Sequence, residues 1–577
     1  MAVWHEYTWI VVVGCLAAFF TAYGIVANAF GSSVAARTLT MRQALLIASV
    51  CEFGGSVLLG GEVTRTVASG IARLVKFERE PQMYMFGMLC ALIAAGAWLI
   101  LATYWELPVS TTHSTAGAVM GFALVYGGPS AVVWLEPQDQ FPYMRGMVPI
   151  VISWFTGPLL SALATALLFL VVRTAILRRE NSLQLAFWAL PCLVFFTVFI
   201  NSYFVLVKGA TKKLSWPSSR CAWISAIVAT GATLLTIAIA MPLARRYVYQ
   251  ELAARSRAGR VPPAIVLHGT NVDVHEVIRT NPRTAAIHEH AEVFDPATEH
   301  AFKYLQVVTA ICDSFSHGAN DVANSVGPFT AIWYIYRKQR VDYMAELPIW
   351  ILVIGGAGIV VGLATYGYNI IRAIGVRFSV ITPSRGFCIE LSTALVVAVA
   401  SIYGLPISTT HCQVGATAGM GFLEGAAGVD WRLGANFFLG WIVTLLITGG
   451  LSAALFAAGA YTPSVQEGRA ILQYEDALLE MSARINSLIN RTNMAARADP
   501  ATWGNFSAAL NASLAADLSY IALAQAPGSS RATRPIQHME QGELLDFLNR
   551  TVETYTNNSL PYMGGMLARG QVLPRRP

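Results

Sequence analysis

Pro108-Val109-Ser110-Thr111-Thr112-His113 recurs as Pro406-Ile407-Ser408-Thr409-Thr410-His411, and each copy runs into an apolar, Gly/Ala-rich stretch ending Met120-Gly121-Phe122 or Met420-Gly421-Phe422. A second pair of segments precedes the first. Val26-Ala27-Asn28-Ala29-Phe30-Gly31 is echoed by Val322-Ala323-Asn324-Ser325-Val326-Gly327. From Asn28 to His113 is 85 positions and from Asn324 to His411 is 87, so the chain carries two copies of one unit.

The medium those copies occupy follows from composition. Of 577 residues, 55% are hydrophobic and 12% charged, whereas a soluble domain has about a quarter of its residues charged. The sequence therefore specifies an integral membrane protein, with the lipid bilayer as its solvent. The net charge of +6 is small for this length and no nucleic-acid module is visible, so nucleic acid is not an expected partner. The eight cysteines show neither CxxC nor zinc spacing and read as packing residues. No lone nucleophile and base stand out, so the chain is not read as an enzyme.

A spanning helix needs about 20 apolar residues, and about twelve segments qualify. The expected fold is an all-α polytopic membrane protein of about twelve transmembrane segments, in two inverted repeats with broken or re-entrant helices. Inversion follows from counting: seven segments separate the starts of the copies, an odd number. Residues 1–128 form the core of the first repeat, 129–243 connecting transmembrane helices, 244–302 a cytoplasmic loop, 303–460 the second repeat and 461–577 an extracytoplasmic tail. The loop opens with Ala244-Arg245-Arg246, which the positive-inside rule assigns to the cytoplasm. Sequons at Asn490, Asn505, Asn511, Asn549 and Asn557 all follow the last span, which makes the tail a glycoprotein segment outside the cell. Both termini are then outside.

The polar breaks carry the chemistry. Irregular backbone inside a bilayer is tolerated where it lines a cavity, and helix starts offer unpaired N–H groups and a positive dipole end. Pro-x-Ser-Thr-Thr-His supplies such a start with three hydroxyls, so two facing copies would surround a tetrahedral oxyanion, phosphate or sulfate. Gly318-Ala319-Asn320-Asp321-Val322-Ala323-Asn324 sits between apolar runs and reads as another helix break at that site. Asp321 has the wrong sign for an anion site, so a cation, Na⁺ or a proton, must accompany the anion, with Asn320, Asp321 and Asn324 as oxygen ligands.

With these motifs, and with Ser49-Val50-Cys51-Glu52-Phe53 and Ile389-Glu390-Leu391-Ser392 beside them, residues 9–460 resemble the PiT family of inorganic phosphate transporters. The resemblance implies sodium- or proton-coupled symport of phosphate by alternating access, with no organic cofactor. It implies Ser110, Thr111, Thr112, Ser408, Thr409 and Thr410 as the phosphate cradle together with Asn320 and Asp321. Asp321, Asn28 and Asn324 are the implied cation ligands, and Glu52 and Glu390 the transport-critical membrane glutamates. A plasma-membrane location is expected, and a homodimer is compatible with this reading. One departure stands out: where the family's first copy has Asn-Asp, this chain has Gly24-Ile25. The departure lowers the expected number of coupling cations and leaves a phosphate-binding, non-transporting relative as the alternative.

Overall fold

The computed structural model describes residues 5–25, 31–61, 64, 67–68, 70–137, 143–213, 216–258, 276–341, 347–402 and 407–462. The chain divides into a unit of Met1–Ala457 and a unit of Ala458–Pro577. The tail's sequons, and Asn28, lie outside the described residues.

Twelve helices coincide with the apolar segments: α1 (Thr8–Tyr23), α2 (Met41–Leu59), α3 (Pro81–Tyr104), α4 (Thr111–Gly127), α5 (Met147–Val172), α6 (Ser182–Lys213), α7 (Ser218–Leu235), α8 (Pro296–Lys338), α9 (Ile349–Tyr366), α10 (Pro383–Ile402), α11 (Thr409–Phe422) and α12 (Trp431–Ala460). Among the described residues, nine helices are long and apolar enough to cross a membrane. The exceptions are instructive. With 14 residues, α11 extends only about 21 Å at about 1.5 Å per residue, short of a hydrocarbon core of about 30 Å. Its counterpart α4 has 17 residues. Helix α8 has 43 residues and carries the polar motif.

Local sequence sets where these helices start. Ser110 caps α4 by accepting from the His113 N–H at 3.3 Å, and Ser408 caps α11 by accepting from the His411 N–H at 3.3 Å. Thr40 and Gln43 close a capping box on α2. Asp295 caps α8, followed by Pro296 at a first-turn position that lacks an N–H to satisfy.

The break expected at Gly318–Asn324 does not exist: α8 is continuous from Pro296 to Lys338. Asp321 and Asn324 find partners on the neighbouring α4 and α11 and Asn320 on Asp321 itself, so the backbone need not open to expose donors. Gly318 serves close packing, because a Cβ there would run into the Glu52 carbonyl of α2. In the first copy the helix does stop, with α1 ending at Tyr23 and described structure resuming in a short helix, Gly31–Ala35.

The helices pair in a crossed manner. Helix α1 packs on α9 and α8 on α2, each copy against an element of the other. Half-helix α4 follows the same rule, and α11 seats on α5 from the first half of the chain. On α4, Cβ atoms at Gly117 and Gly121 would strike the α12 carbonyls of Leu445 and Gly449; on α11, those at Gly415 and Gly419 would strike the α5 carbonyls of Pro158 and Ala162. Small residues four apart let backbones touch where no hydrophobic effect drives association.

The segment preceding α8 is anchored on the bundle. Glu292 accepts from Arg178 Nε at 2.8 Å and from Arg173 Nε at 2.8 Å, and these hydrogen bonds hold its carboxyl below the usual range. Buried Arg385 donates to Glu424 at 2.7 Å and to the Glu292 carbonyl at 2.8 Å, under the Phe294 and Phe169 rings.

Gly419→Val should force α11 off α5 and destabilise the protein by about 2 kcal/mol or more. Gly440→Ala, where an added Cβ meets nothing within 4 Å, should leave the melting temperature in detergent unchanged or slightly raised. Equal melting temperatures for the two variants would count against this packing.

Candidate functional site

The two half-helices start at one place. From α4, Thr111 Oγ1 donates to Asp321 Oδ2 at 3.4 Å, and from α11, Thr409 Oγ1 donates to the same oxygen at 2.9 Å. Asn320 Nδ2 donates to the other carboxylate oxygen at 3.0 Å. Asn324, one turn further along α8, donates to Thr111 Oγ1 at 2.8 Å and Thr112 Oγ1 at 3.3 Å, while its carbonyl accepts from Thr115 at 3.1 Å. Asp321 is 1% exposed. The duplicated hydroxyl motifs therefore converge on one buried carboxylate.

Behind the threonines the copies also meet ring to ring. His113 and His411 lie 4.4 Å apart between centroids, with Trp154 at 4.4 Å from the first and Trp441 at 3.8 Å from the second. Each tryptophan comes from the helix that packs on the other half-helix, so the exchange between copies is reciprocal. The caps account for Ser110 and Ser408, whose side-chain oxygens point back into their own helices. Thr410 is buried on the same turn as Thr409.

Helix starts leave their first N–H groups without intrahelical acceptors and concentrate about half a positive charge. Two such ends meet beside Thr111, Thr409 and Asn320, whose donors surround the Asp321 carboxylate.

The two glutamates occupy different places. Glu52 on α2 joins the cluster: Ser314 Oγ donates to Oε1 at 3.2 Å, and Oε2 lies 3.0 Å from His317 Nδ1. Glu390 on α10 does not. Its carboxylate accepts from Ser32, from Ser33 at 3.0 Å, from Thr309 at 2.5 Å and from Gln306 at 3.5 Å, which ties α10 and α8 to the Gly31–Ala35 helix.

His317 was missed by sequence reasoning. Its Nε2 lies 3.0 Å from Asp321 Oδ2, so one imidazole bridges a carboxylate of each copy, Glu52 and Asp321. Both contacts are hydrogen bonds together only when the triad holds one proton more than a neutral imidazole and two carboxylates. The signal was present in the spacing: Asp313, His317 and Asp321 recur every fourth residue and share one helix face. The first copy has Ala17, Thr21 and Ile25 at the matching positions; Thr21 donates to its own helix and to the Leu92 carbonyl, and Ile25 is buried.

Fold and site together define a polytopic membrane protein with a buried polar centre where two helix starts meet on one carboxylate. Residues 26–452 match the model of the phosphate transporter family, and the chain belongs to that family. It is 29% identical to the phosphate-repressible phosphate permease pho-4 of Neurospora crassa, over 78% of this chain and 97% of that one. A Chlamydia trachomatis protein named as a phosphate permease is 33% identical, over 77% of this chain and 96% of its own. A solved structure titled the sodium-dependent phosphate transporter aligns with TM-score 0.61 and 31% identity, covering 78% of this chain and 98% of that one.

His317→Ala leaves Glu52 and Asp321 facing each other in a buried site and should cost about 3–5 kcal/mol of stability. Adding Glu52→Gln to it should recover part of that loss. Thermal unfolding of the purified variants decides; a double variant less stable than His317→Ala alone would refute the bridge.

Proposed function

We propose that the chain imports inorganic phosphate by cation-coupled symport with alternating access, and that sodium is the coupling ion. The observation that carries this reading is the meeting of Thr111 and Thr409, one from each copy, on the single carboxylate of Asp321. Family membership supports phosphate as the substrate, and the solved relative's title supports sodium.

In this reading the N–H groups and hydroxyls at 110–112 and 408–410 hold the phosphate with Asn320. Asp321, Asn324 and Asn28 hold the cation. Glu52 orients His317 and through it Asp321, which accounts for its importance at a distance from the anion. Glu390 acts as a clamp on the Gly31–Ala35 helix. The reciprocal glycine and tryptophan contacts of α4 and α11 support two inverted repeats, the pseudo-twofold frame that alternating access needs. The domain boundaries of the sequence reading, a cytoplasmic loop at 244–302, an outer glycosylated tail and a plasma-membrane setting all belong to the same proposal.

A proton-coupled symporter is the second reading, favoured by the Glu52–His317–Asp321 triad, whose two contacts are both hydrogen bonds when it holds one extra proton. Gly24 and Ile25 favour a reduced cation count, or in the extreme a phosphate binder that does not transport. Radiolabelled phosphate uptake by purified, reconstituted full-length protein, with sodium and proton gradients imposed separately, distinguishes these outcomes. Sodium-driven uptake is expected. Asp321→Asn should nearly abolish it, and Asn505→Gln should leave it intact; robust uptake by Asp321→Asn would remove the assigned role.

A further inference from the structure

The turn that launches α4 has an unusual residue in it. Helix α3 ends in a Schellman arrangement, with the Glu106 N–H donating to the Thr103 carbonyl at 3.1 Å and the Leu107 N–H to the Ala102 carbonyl at 2.9 Å. Glu106 sits at the position that turns left-handed, φ +58°, where glycine is the usual choice. The other copy of the motif reads Tyr403-Gly404-Leu405-Pro406 against Trp105-Glu106-Leu107-Pro108, so it has glycine at the matching position. A glutamate that occupies an unfavourable backbone conformation needs a compensating contact.

Its carboxylate supplies one. Glu106 Oε2 lies 2.6 Å from Arg377 Nη1, with the two side chains 18% and 33% exposed. Arg377 belongs to a π-turn, Ala373–Phe378, which packs on both the Gly31–Ala35 helix and α11. The turn is itself held from the loop side, where His288 Nε2–H donates to the Val376 carbonyl at 3.1 Å. A second grip reaches the same launch turn from the second copy: Trp441 Nε1–H donates to the Pro108 carbonyl at 2.9 Å while its ring stacks on His411.

We propose that Glu106 and Arg377 form a charged latch between the two copies, which holds the first hydroxyl turn in register with the second for anion binding. Glu106 and Arg377 are positioning residues: neither touches Asp321, and both act through the placement of Ser110, Thr111 and Thr112. The inference rests on the reading of those residues as half of the phosphate cradle. The latch explains why one copy departs from glycine here. The ion pair with Arg377 ties the end of α3, and with it the first turn, to the second copy.

The test compares wild type, Glu106→Gln, Glu106→Gly, Arg377→Gln, Arg377→Lys and the Glu106→Gln/Arg377→Gln double variant. Phosphate uptake by reconstituted full-length protein gives KM and maximal rate, and melting temperatures are taken on the same samples. Each single neutralising variant should raise KM about fivefold with the maximal rate within about twofold, and the double should be no worse than either single. Arg377→Lys should recover most of the affinity. Glu106→Gly is the critical arm: it suits the backbone but lacks the carboxylate, so its KM should rise while its melting temperature stays at or above that of Glu106→Gln. A wild-type KM in Glu106→Gly, additive effects in the double variant, or a rate loss at unchanged KM each overturn the latch. If the wild type takes up no phosphate, the transport reading fails by itself. The latch is then judged by the melting cycle, where non-additivity upholds it and additivity refutes it.

Discussion

The structure depends on one carboxylate having enough donors. Asp321 is removed from water in a helix that never opens, and an unpaired charge there would cost on the order of several kcal/mol. Two threonines from opposite copies, an adjacent asparagine and an imidazole remove that cost together. Because the donors come from α4, α11 and α8 at once, satisfying Asp321 also fixes how the half-helices approach. Packing and site chemistry are the same constraint seen from two sides.

The glycines make that approach sterically open, and the caps make it electrostatically useful. With Ser110 and Ser408 committed to their own helix starts, the threonines that follow are released for contacts outside the helix. A Ser-Thr-Thr run thus divides its labour by position: the first hydroxyl caps the helix start, and Thr111, Thr112 and Thr409 after it reach α8. The apolar residues that follow need only small side chains at every fourth position to seat the half-helix on a neighbour from the other copy.

Most of the fold was legible in the sequence because lipid imposes a simple rule on spanning helices. All twelve apolar segments are helices, and the duplicated motif marked the site because two copies of one hydroxyl cluster need a shared purpose. What escaped was pairwise. The Gly318–Asn324 stretch looked like a break, since glycine and asparagine disfavour helix interiors; in place, neighbours satisfy the amides and Gly318 yields room for α2, so tertiary contact overrides propensity. Glu52 and Glu390 looked equivalent as buried acids, yet one meets an imidazole and the other four neutral donors. No one-dimensional pattern distinguishes them. His317 could have been found from the i, i+4, i+8 acid-imidazole-acid spacing of Asp313, His317 and Asp321.

The asymmetry between the copies then has a physical sense. A frame with approximate twofold exchange does not require twofold chemistry, and here the charged groups of the centre lie on α8 and α2 while the matching face of α1 carries Ala17, Thr21 and Ile25. Placing apolar residues on α1 removes the need for further donors where that helix ends at Tyr23. A second buried carboxylate at residue 25 would have needed donors or a counter-charge of its own. His317, already spanning Glu52 and Asp321, could not serve it as well. The Ile25 side chain and the bridge at His317 are thus compatible solutions to one problem, that of limiting net negative charge in a buried centre.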